Sequence, residues 1–255
     1  MFIVFLAVAL MFTFVVSKNR FVGCVSWILF GLVWLLMVPY YISIADYFNT
    51  VVMILAFVLF TIIGLTILRT RRLDVLVDVT AFSALSALFY FPFAINPWLK
   101  KLIINVVANQ TVSLAHLLGF EFEKVAYNKL YFNGKHVEII LACTGIESMA
   151  LFAGATLGVR ADFSRRLKAF MISVPVIYIL NLFRNVFVLV AYGNEWFGEN
   201  SFYIAHHVIC KILATIALIL ISLGVFKILP ELADLIYNLK EELVEVWKHD
   251  RKDRT

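Results

Sequence analysis

Stretches of about twenty apolar residues, separated by short charged loops, restrict this chain to folds in which helices cross a lipid bilayer. A span needs that length because each helical residue rises about 1.5 Å against a hydrocarbon core roughly 30 Å thick. The stretches fall near 1–17, 21–44, 51–68, 75–97, 139–159, 169–192 and 203–228. They predict an all-α polytopic membrane protein of about seven transmembrane helices. Composition agrees, since 63% of the residues are hydrophobic and only 15% charged, which excludes a soluble domain of this size. The first stretch reads as a true span and not a cleaved leader. No basic residue precedes it and no small-residue cleavage pattern follows.

Lys and Arg collect in the short loops on the cytoplasmic side of a membrane. Lys18-Asn19-Arg20, Arg69-Thr70-Arg71-Arg72 and Arg165-Arg166-Leu167-Lys168 alternate as inside loops. The N-terminus is then expected outside and the C-terminus inside, with the long segment from about Trp98 to Glu138 on the outer face. Its Lys100 and Lys101 are tolerated there because a long loop does not follow the charge rule.

The net charge of +5 belongs mostly to these topology-setting loops and to the tail. No basic stripe interleaved with aromatics exists, so nucleic acid is excluded as a partner. Cys24 and Cys210 lie in apolar stretches, where a free thiol behaves as a small hydrophobe. His206 and Cys210, four residues apart, make half a metal site, but no further ligands stand at suitable spacing. Neither a metal nor a cofactor is expected.

Four regions follow: N-terminal transmembrane helices over 1–97, an extracytoplasmic segment over 98–139, further transmembrane helices over 140–229 and a cytoplasmic tail over 230–255. In the second, Leu99, Leu102, Ile103, Val106 and Val107 recur at helical spacing and predict an interfacial helix from about Trp98 to Leu118. Asn109-Gln110-Thr111 is a glycosylation sequon by sequence. Asn133-Gly134, between Lys129–Phe132 and Lys135–Ile139, predicts a tight β-hairpin that runs almost directly into Cys143. The tail carries Leu232, Leu235, Ile236, Leu239, Leu243, Val246 and Trp247 on one helical face. That pattern predicts an amphipathic helix, begun by Pro230, that rests on the membrane or on a partner.

Three polar residue types interrupt the C-terminal apolar stretches. Cys143 is placed at the start of one, Arg184 within the next, and His206-His207 near the start of the last. At 1.5 Å per residue, Cys143 and His206 lie roughly 6 Å below the outer ends of their spans and Arg184 about 12 Å, within reach of a snorkelling side chain. A thiol, a guanidinium and an imidazole at one depth suit acyl transfer. Thiolates are the nucleophiles of such chemistry and are favoured beside cations and at helix N-termini. His206 is placed to move the proton, and Arg184 with the backbone N–H groups of Thr144 and Gly145 to stabilise an oxyanion. Gly145 allows close approach of substrate backbone. Glu147, one turn below Cys143, is expected to orient Arg184 by pairing with it.

Each feature has a structural alternative. Cys143 can be a packing residue, Arg184 with Glu147, Asn181 and Asn185 a purely structural network, and the histidines interfacial polar groups. A transporter would need polar residues through the full membrane depth and repeat symmetry, and the inner halves of these stretches are almost wholly apolar. A non-catalytic scaffold is the other class.

The run Ile140-Leu141-Ala142-Cys143-Thr144-Gly145-Ile146-Glu147-Ser148, then Asn181-Leu182-Phe183-Arg184-Asn185, then Ala205-His206-His207-Val208 resembles the three signature blocks of the exosortase/archaeosortase family. The resemblance covers roughly Tyr131 to Glu231, and the Cys block and Leu229-Pro230-Glu231-Leu232 look more like the archaeal branch. It implies a membrane transpeptidase acting on secreted proteins with a C-terminal sorting signal made of a short motif, a membrane helix and a basic tail. The enzyme would cleave before that helix through a Cys143 thioester and pass the new C-terminus to a lipid amine, anchoring a surface glycoprotein. Some archaeal members carry Arg at the third position, where this chain has two histidines; His206 is preferred and His207 is the alternative.

Overall fold

The computed structural model describes residues 2–252; Met1 and the last three residues of the expected tail, 253–255, lie outside the described residues. In chain order the helices are α1 (Phe2–Ser17), α2 (Arg20–Leu35), α3 (Val38–Ser43), α4 (Tyr47–Arg69), α5 (Leu73–Ile95) and α6 (Pro97–Leu117). Strands β1 (Glu123–Lys124), β2 (Lys129–Phe132) and β3 (Lys135–Glu138) follow, then a 3-10 turn over Leu141–Thr144, α7 (Ile146–Gly158) and α8 (Phe163–Gly193). A second 3-10 turn, α9 (Ser201–Tyr203), a π-helical stretch Ile204–Ile209 and α10 (Cys210–Ile228) form one rod, Gly198–Ile228, before α11 (Pro230–Lys252).

Five segments are long and apolar enough to cross a bilayer: Arg20–Ser43, Tyr47–Arg69, Leu73–Ile95, Phe163–Gly193 and Gly198–Ile228. Among the described residues these match five of the seven expected spans; the other two stretches form shorter apolar helices. Helix α1 has 16 residues and α7 has 13, about 24 and 20 Å, both short of a 30 Å core. The apolar stretch 139–159 is not helical throughout. Its first residues leave β3 and form the 3-10 turn, which ends at Gly145 with φ +74°, a left-handed conformation costly for any residue with a Cβ.

Polar loop residues start the helices. Asn19, Asp46, Asn96 and Asp162 accept from the first free N–H groups of α2, α4, α6 and α8, donors that a membrane would otherwise leave unsatisfied. Helices α1, α2, α4 and α5 share a core around Met11, Phe14, Trp27, Ile67 and Leu76. The Trp27 indole N–H is satisfied there by Thr80 Oγ1 at 2.8 Å. Helices α5 and α7 touch backbone to backbone. A Cβ on Gly158 would fall 2.7 Å from Phe82 Cα, and one on Gly154 would fall 2.5 Å from the Ser86 nitrogen. The spacing Gly154-xxx-Gly158 is the small-residue pattern that lets membrane helices approach closely.

The hairpin forms as expected, with Phe132 opposite Lys135 and both Asn133 (φ 45°) and Gly134 (φ 79°) left-handed, as a type I′ turn requires. Strand β1, not foreseen, adds to β2. The sheet rests on the end of α8: Asn133 Nδ2 donates to Asn194 Oδ1 at 3.0 Å, and Lys135 pairs with Glu195 at 2.7 Å. Helix α6 buries Ile104, Val107, Ala108, Thr111 and Ala115, in a core shared with the sheet and α8. Thr111 is fully buried and Asn109 Oδ1 accepts from Lys124, so the sequon is folded into a helix.

Part of the tail's apolar face packs on the protein itself, while Ile236 on that face is exposed. Leu235 joins the first core, Trp247 Nε1 donates to Thr66 Oγ1 at 3.1 Å, and buried Glu242 accepts from Thr70. Glu231 grips Arg165 through both carboxylate oxygens.

Candidate active site

The β3 strand and the 3-10 turn deliver Cys143 to α8. Its main-chain carbonyl accepts from Asn181 Nδ2 at 2.7 Å and from Asn185 Nδ2 at 3.0 Å. The two asparagines stand one turn apart on one face of α8 and are both buried. Gly145 permits this approach, since a Cβ there would meet Asn181 at 3.2 Å. Thr144 is fully buried and closes the turn, its hydroxyl donating to Leu141 O at 2.7 Å. Cys143 thus precedes α7 within a separate turn, held by a clamp, and does not itself open the helix.

The Cys143 side chain is 8% exposed and packs with Val107, Ile139, Val186 and Leu189. Among the described residues, its sulfur makes no hydrogen bond to Arg184, His206 or His207. Arg184 and His206 do meet, Nη2 to Nδ1 at 3.5 Å. A guanidinium only donates, so in this arrangement Nδ1 accepts and the ring proton is on Nε2. On the π-helical stretch the two histidine rings meet edge to face, centroids 4.7 Å apart, but have different surroundings. His206 stacks on Phe202 with centroids 5.2 Å apart and planes at 13°, whereas His207 is exposed and lies against Tyr203. Such π-insertions concentrate at functional sites.

Glu147 does not pair with Arg184, contrary to expectation. Its carboxylate accepts from the Tyr90 hydroxyl of α5 at 3.4 Å, because the break at Gly145 turns the start of α7 toward α5. Arg184 has no carboxylate within ion-pair distance among the described residues. It lines a cavity of about 390 Å³ between α7, α8 and α10, shared with Gly145, Ser148, Asn181 and Cys210. Cys210 lines that cavity beside Arg184, and no group of three or more metal-ligating side chains exists among the described residues. The asparagine clamp escaped sequence reading. Its only signal was a pair of amides at i and i+4 in an otherwise apolar helix, a pattern equally suited to a generic polar network.

A bundle of membrane-length helices that delivers a cysteine from a hairpin to an arginine-bearing helix defines a multi-pass membrane protein with one polar site set among its C-terminal helices. The chain matches the Transmembrane exosortase family over residues 1–224 and belongs to that family. It is similar to Archaeosortase A of Haloferax volcanii, with 28% identity over 271 residues that cover 88% of this chain and 89% of that protein. It is also similar to Archaeosortase A of Natronomonas pharaonis, with 26% identity over 90% of this chain and 83% of that protein. No solved structure matches it.

Proposed function

We propose that this protein is a membrane-embedded cysteine transpeptidase that removes the C-terminal sorting signal of secreted proteins near the outer membrane face and transfers the new C-terminus to a lipid amine. The observation that carries the reading is the clamp of Asn181 and Asn185 on the Cys143 carbonyl, made by the same helix that presents Arg184 to His206. Family membership and the two archaeosortase relatives support a protein-sorting enzyme in general.

Substrate carbonyl oxygen takes the guanidinium of Arg184 in place of His206 Nδ1, and the freed imidazole accepts the Cys143 proton. Sulfur attacks the carbonyl carbon, and negative charge on oxygen is held by Arg184. The carbon–nitrogen bond breaks as His206 returns the proton to the leaving amine, and a thioester remains on Cys143. A lipid amine then attacks the thioester carbon, its proton passes through His206 to sulfur, and an amide to lipid forms. The reaction needs the Cys143 side chain to leave its packed position as substrate enters, since its sulfur makes no hydrogen bond to either partner among the described residues.

The test is co-expression with a tagged surface protein bearing such a signal, with processing followed by gel shift and mass spectrometry. Loss of cleavage in Cys143→Ala and Arg184→Ala is the expected result. Normal cleavage by correctly inserted Cys143→Ala, in a host without a redundant enzyme, sinks the thioester reading.

A further inference from the structure

We propose that the free edge of β3 binds the substrate segment that precedes the scissile bond, as an added strand running parallel to β3 toward Cys143; that this peptide is the substrate rests on the transpeptidase reading. In the sheet order β1-β2-β3, β3 stands at one edge. Phe132 and Lys135 flank the two-residue turn as a bonded pair, and Ile139 N–H donates to Asn128 O at 2.7 Å. Backbone groups alternate in direction between them, so Lys135, Val137 and Ile139 face β2 while His136 and Glu138 face away. Ile140 is also extended, with φ −106° and ψ 173°, and its N–H continues the outward row. Among the described residues these outward groups have no hydrogen-bond partner, save Ile140 O, which accepts from Cys143 N–H at 2.9 Å. His136, Glu138 and Ile140 are all exposed.

An unpaired edge is a template for a further strand, and native proteins blunt one with Pro, a bulge or a covering element. Strand β3 carries no Pro or bulge, whereas the opposite edge, β1, is two residues long and tied to α6 through Lys124. What the edge leads to selects its occupant. The hairpin turn is tied to Asn194 and Glu195 at the close of α8, and the far end of β3 leads to Cys143, held by Asn181 and Asn185. Asn194 lies nine residues beyond Asn185, about 14 Å along the helix, so β3 descends beside α8 from the outer loop to the cysteine. A secreted protein whose C-terminal signal continues into the membrane descends the same way, which makes the pairing parallel. Peptide carbonyls then accept from the N–H groups of His136, Glu138 and Ile140, and peptide N–H groups donate to His136 O and Glu138 O, at every second residue. The row spans about 13 Å at 3.3 Å per residue. It stops where the 3-10 turn uses Ile140 O, so the next peptide residue reaches the turn that carries Cys143. Main-chain bonds of this kind supply affinity without fixing side-chain identity.

The test uses full-length Cys143→Ala in detergent micelles, with a synthetic peptide that reproduces a sorting signal and begins well before its cleavage point. Hydrogen exchange is read residue by residue with and without peptide. Protection is expected to rise at His136, Glu138 and Ile140, while Lys135, Val137 and Ile139, already turned to β2, change little. The second arm leaves the protein untouched. Single N-methyl groups placed along the peptide remove one N–H at a time, and Kd should rise about 2- to 10-fold at every second residue over the paired segment and much less between. In a third arm, Glu138→Pro removes an outward N–H without breaking the ladder to β2. It should lower kcat/KM by the same order in a chain that keeps Cys143, whereas Glu138→Ala keeps the backbone and the activity. If Glu138→Pro does not fold, the N-methyl scan decides. Unchanged exchange on adding peptide, or an N-methyl profile with no two-residue period, overturns the proposal. Edge protection that precedes the peptide and grows with protein concentration assigns the edge to a second copy of this chain and overturns it as well. Binding does not use the thiol, so a failed thioester reading shows as processing by Cys143→Ala, and a failed edge shows in the exchange and N-methyl arms.

Discussion

Asn181 donates from its side-chain amide to the main-chain carbonyl of Cys143 at 2.7 Å, which ties the position of the cysteine to one face of α8. Asn185 repeats the contact from one turn further along at 3.0 Å. A carbonyl has two lone pairs and both are used, so the turn Leu141–Thr144 is fixed relative to Arg184 without any contact to the thiol.

Replacing Asn181 with Leu keeps the γ-branched shape but removes one donor from a buried acceptor. A cost of about 1–3 kcal/mol is expected for the lost bond, or roughly 5- to 150-fold if it falls on the positioning of Cys143. Processing should drop by that order, with a smaller effect in Asn185→Leu because its bond is longer. The kinetics of the two single variants and the double variant decide this. A double variant no worse than Asn181→Leu would mean that Asn185 positions nothing.

Helix α7 is held on α5 by absence of side chain. In Gly154→Ala the new Cβ would lie 2.0 Å from Ser86 Oγ and 2.5 Å from the Ser86 nitrogen. Overpacking of a tight contact costs about 1–3 kcal/mol, so the melting temperature in detergent should fall. Ser86→Ala in the same chain removes the hydroxyl but not the backbone, so it restores part of the loss and not all. Full stability in Gly154→Ala would show that the two helices can separate at no cost.

How much of this was legible in the sequence depends on what each residue had to find. Asn133-Gly134 carries its own turn geometry, so the hairpin was readable to the residue. The apolar stretches were readable too, but Ile139 to Cys143 is as apolar as the helix that follows, and hydrophobicity alone does not distinguish a strand exit and a 3-10 turn from a span. Spacing placed Glu147 one turn from Cys143 on the assumption of continuous helix, an assumption that Gly145 breaks. The tail's amphipathic face showed that something covers it; only the tertiary packing of Leu235 and Trp247 shows that the cover is α4 and α5. For Cys143, Arg184 and His206 the sequence supplied residue types and depth, while the contacts that position them come from Asn181, Asn185 and Phe202.

The Lys135–Glu195 pair pins the hairpin to the end of α8 and titrates at both extremes. Lys135 holds the Glu195 carboxyl below its ordinary value of 4.5 through a hydrogen bond and its charge. The contribution of Glu195 is thus complete above that value and is lost as pH falls through the depressed one. Glu195 in turn raises Lys135 above 10.5, so that limb is complete below 10.5 and is lost as pH rises past the raised value. Both groups are exposed, so the effect is screened by salt and stays local. The protection factors of the hairpin amides, corrected for the intrinsic exchange rate, should fall below pH 4 in wild type, and Glu195→Gln should flatten that acid limb. An unchanged acid limb in Glu195→Gln would assign it to another carboxylate.

The adjacent histidines differ in environment. His206 faces Arg184 at 3.5 Å and is held flat against Phe202, whereas His207 is exposed and touches Phe202, Tyr203 and the edge of His206. A residue that moves the proton in acyl transfer is worth about 10²–10⁴-fold, so His206→Ala should lower processing by that order while His207→Ala remains close to wild type. Phe202→Ala is the second arm. Without the stacking surface the imidazole loses its orientation, and processing should fall although no titrating group has been removed. Measured under single turnover, the defect in His206→Ala should lie in formation of the thioester, read as the substrate hydroxamate that hydroxylamine releases from Cys143, and not in binding of substrate. Loss of activity in His207→Ala with His206→Ala intact would reverse the assignment and require the π-helical stretch to rotate before catalysis.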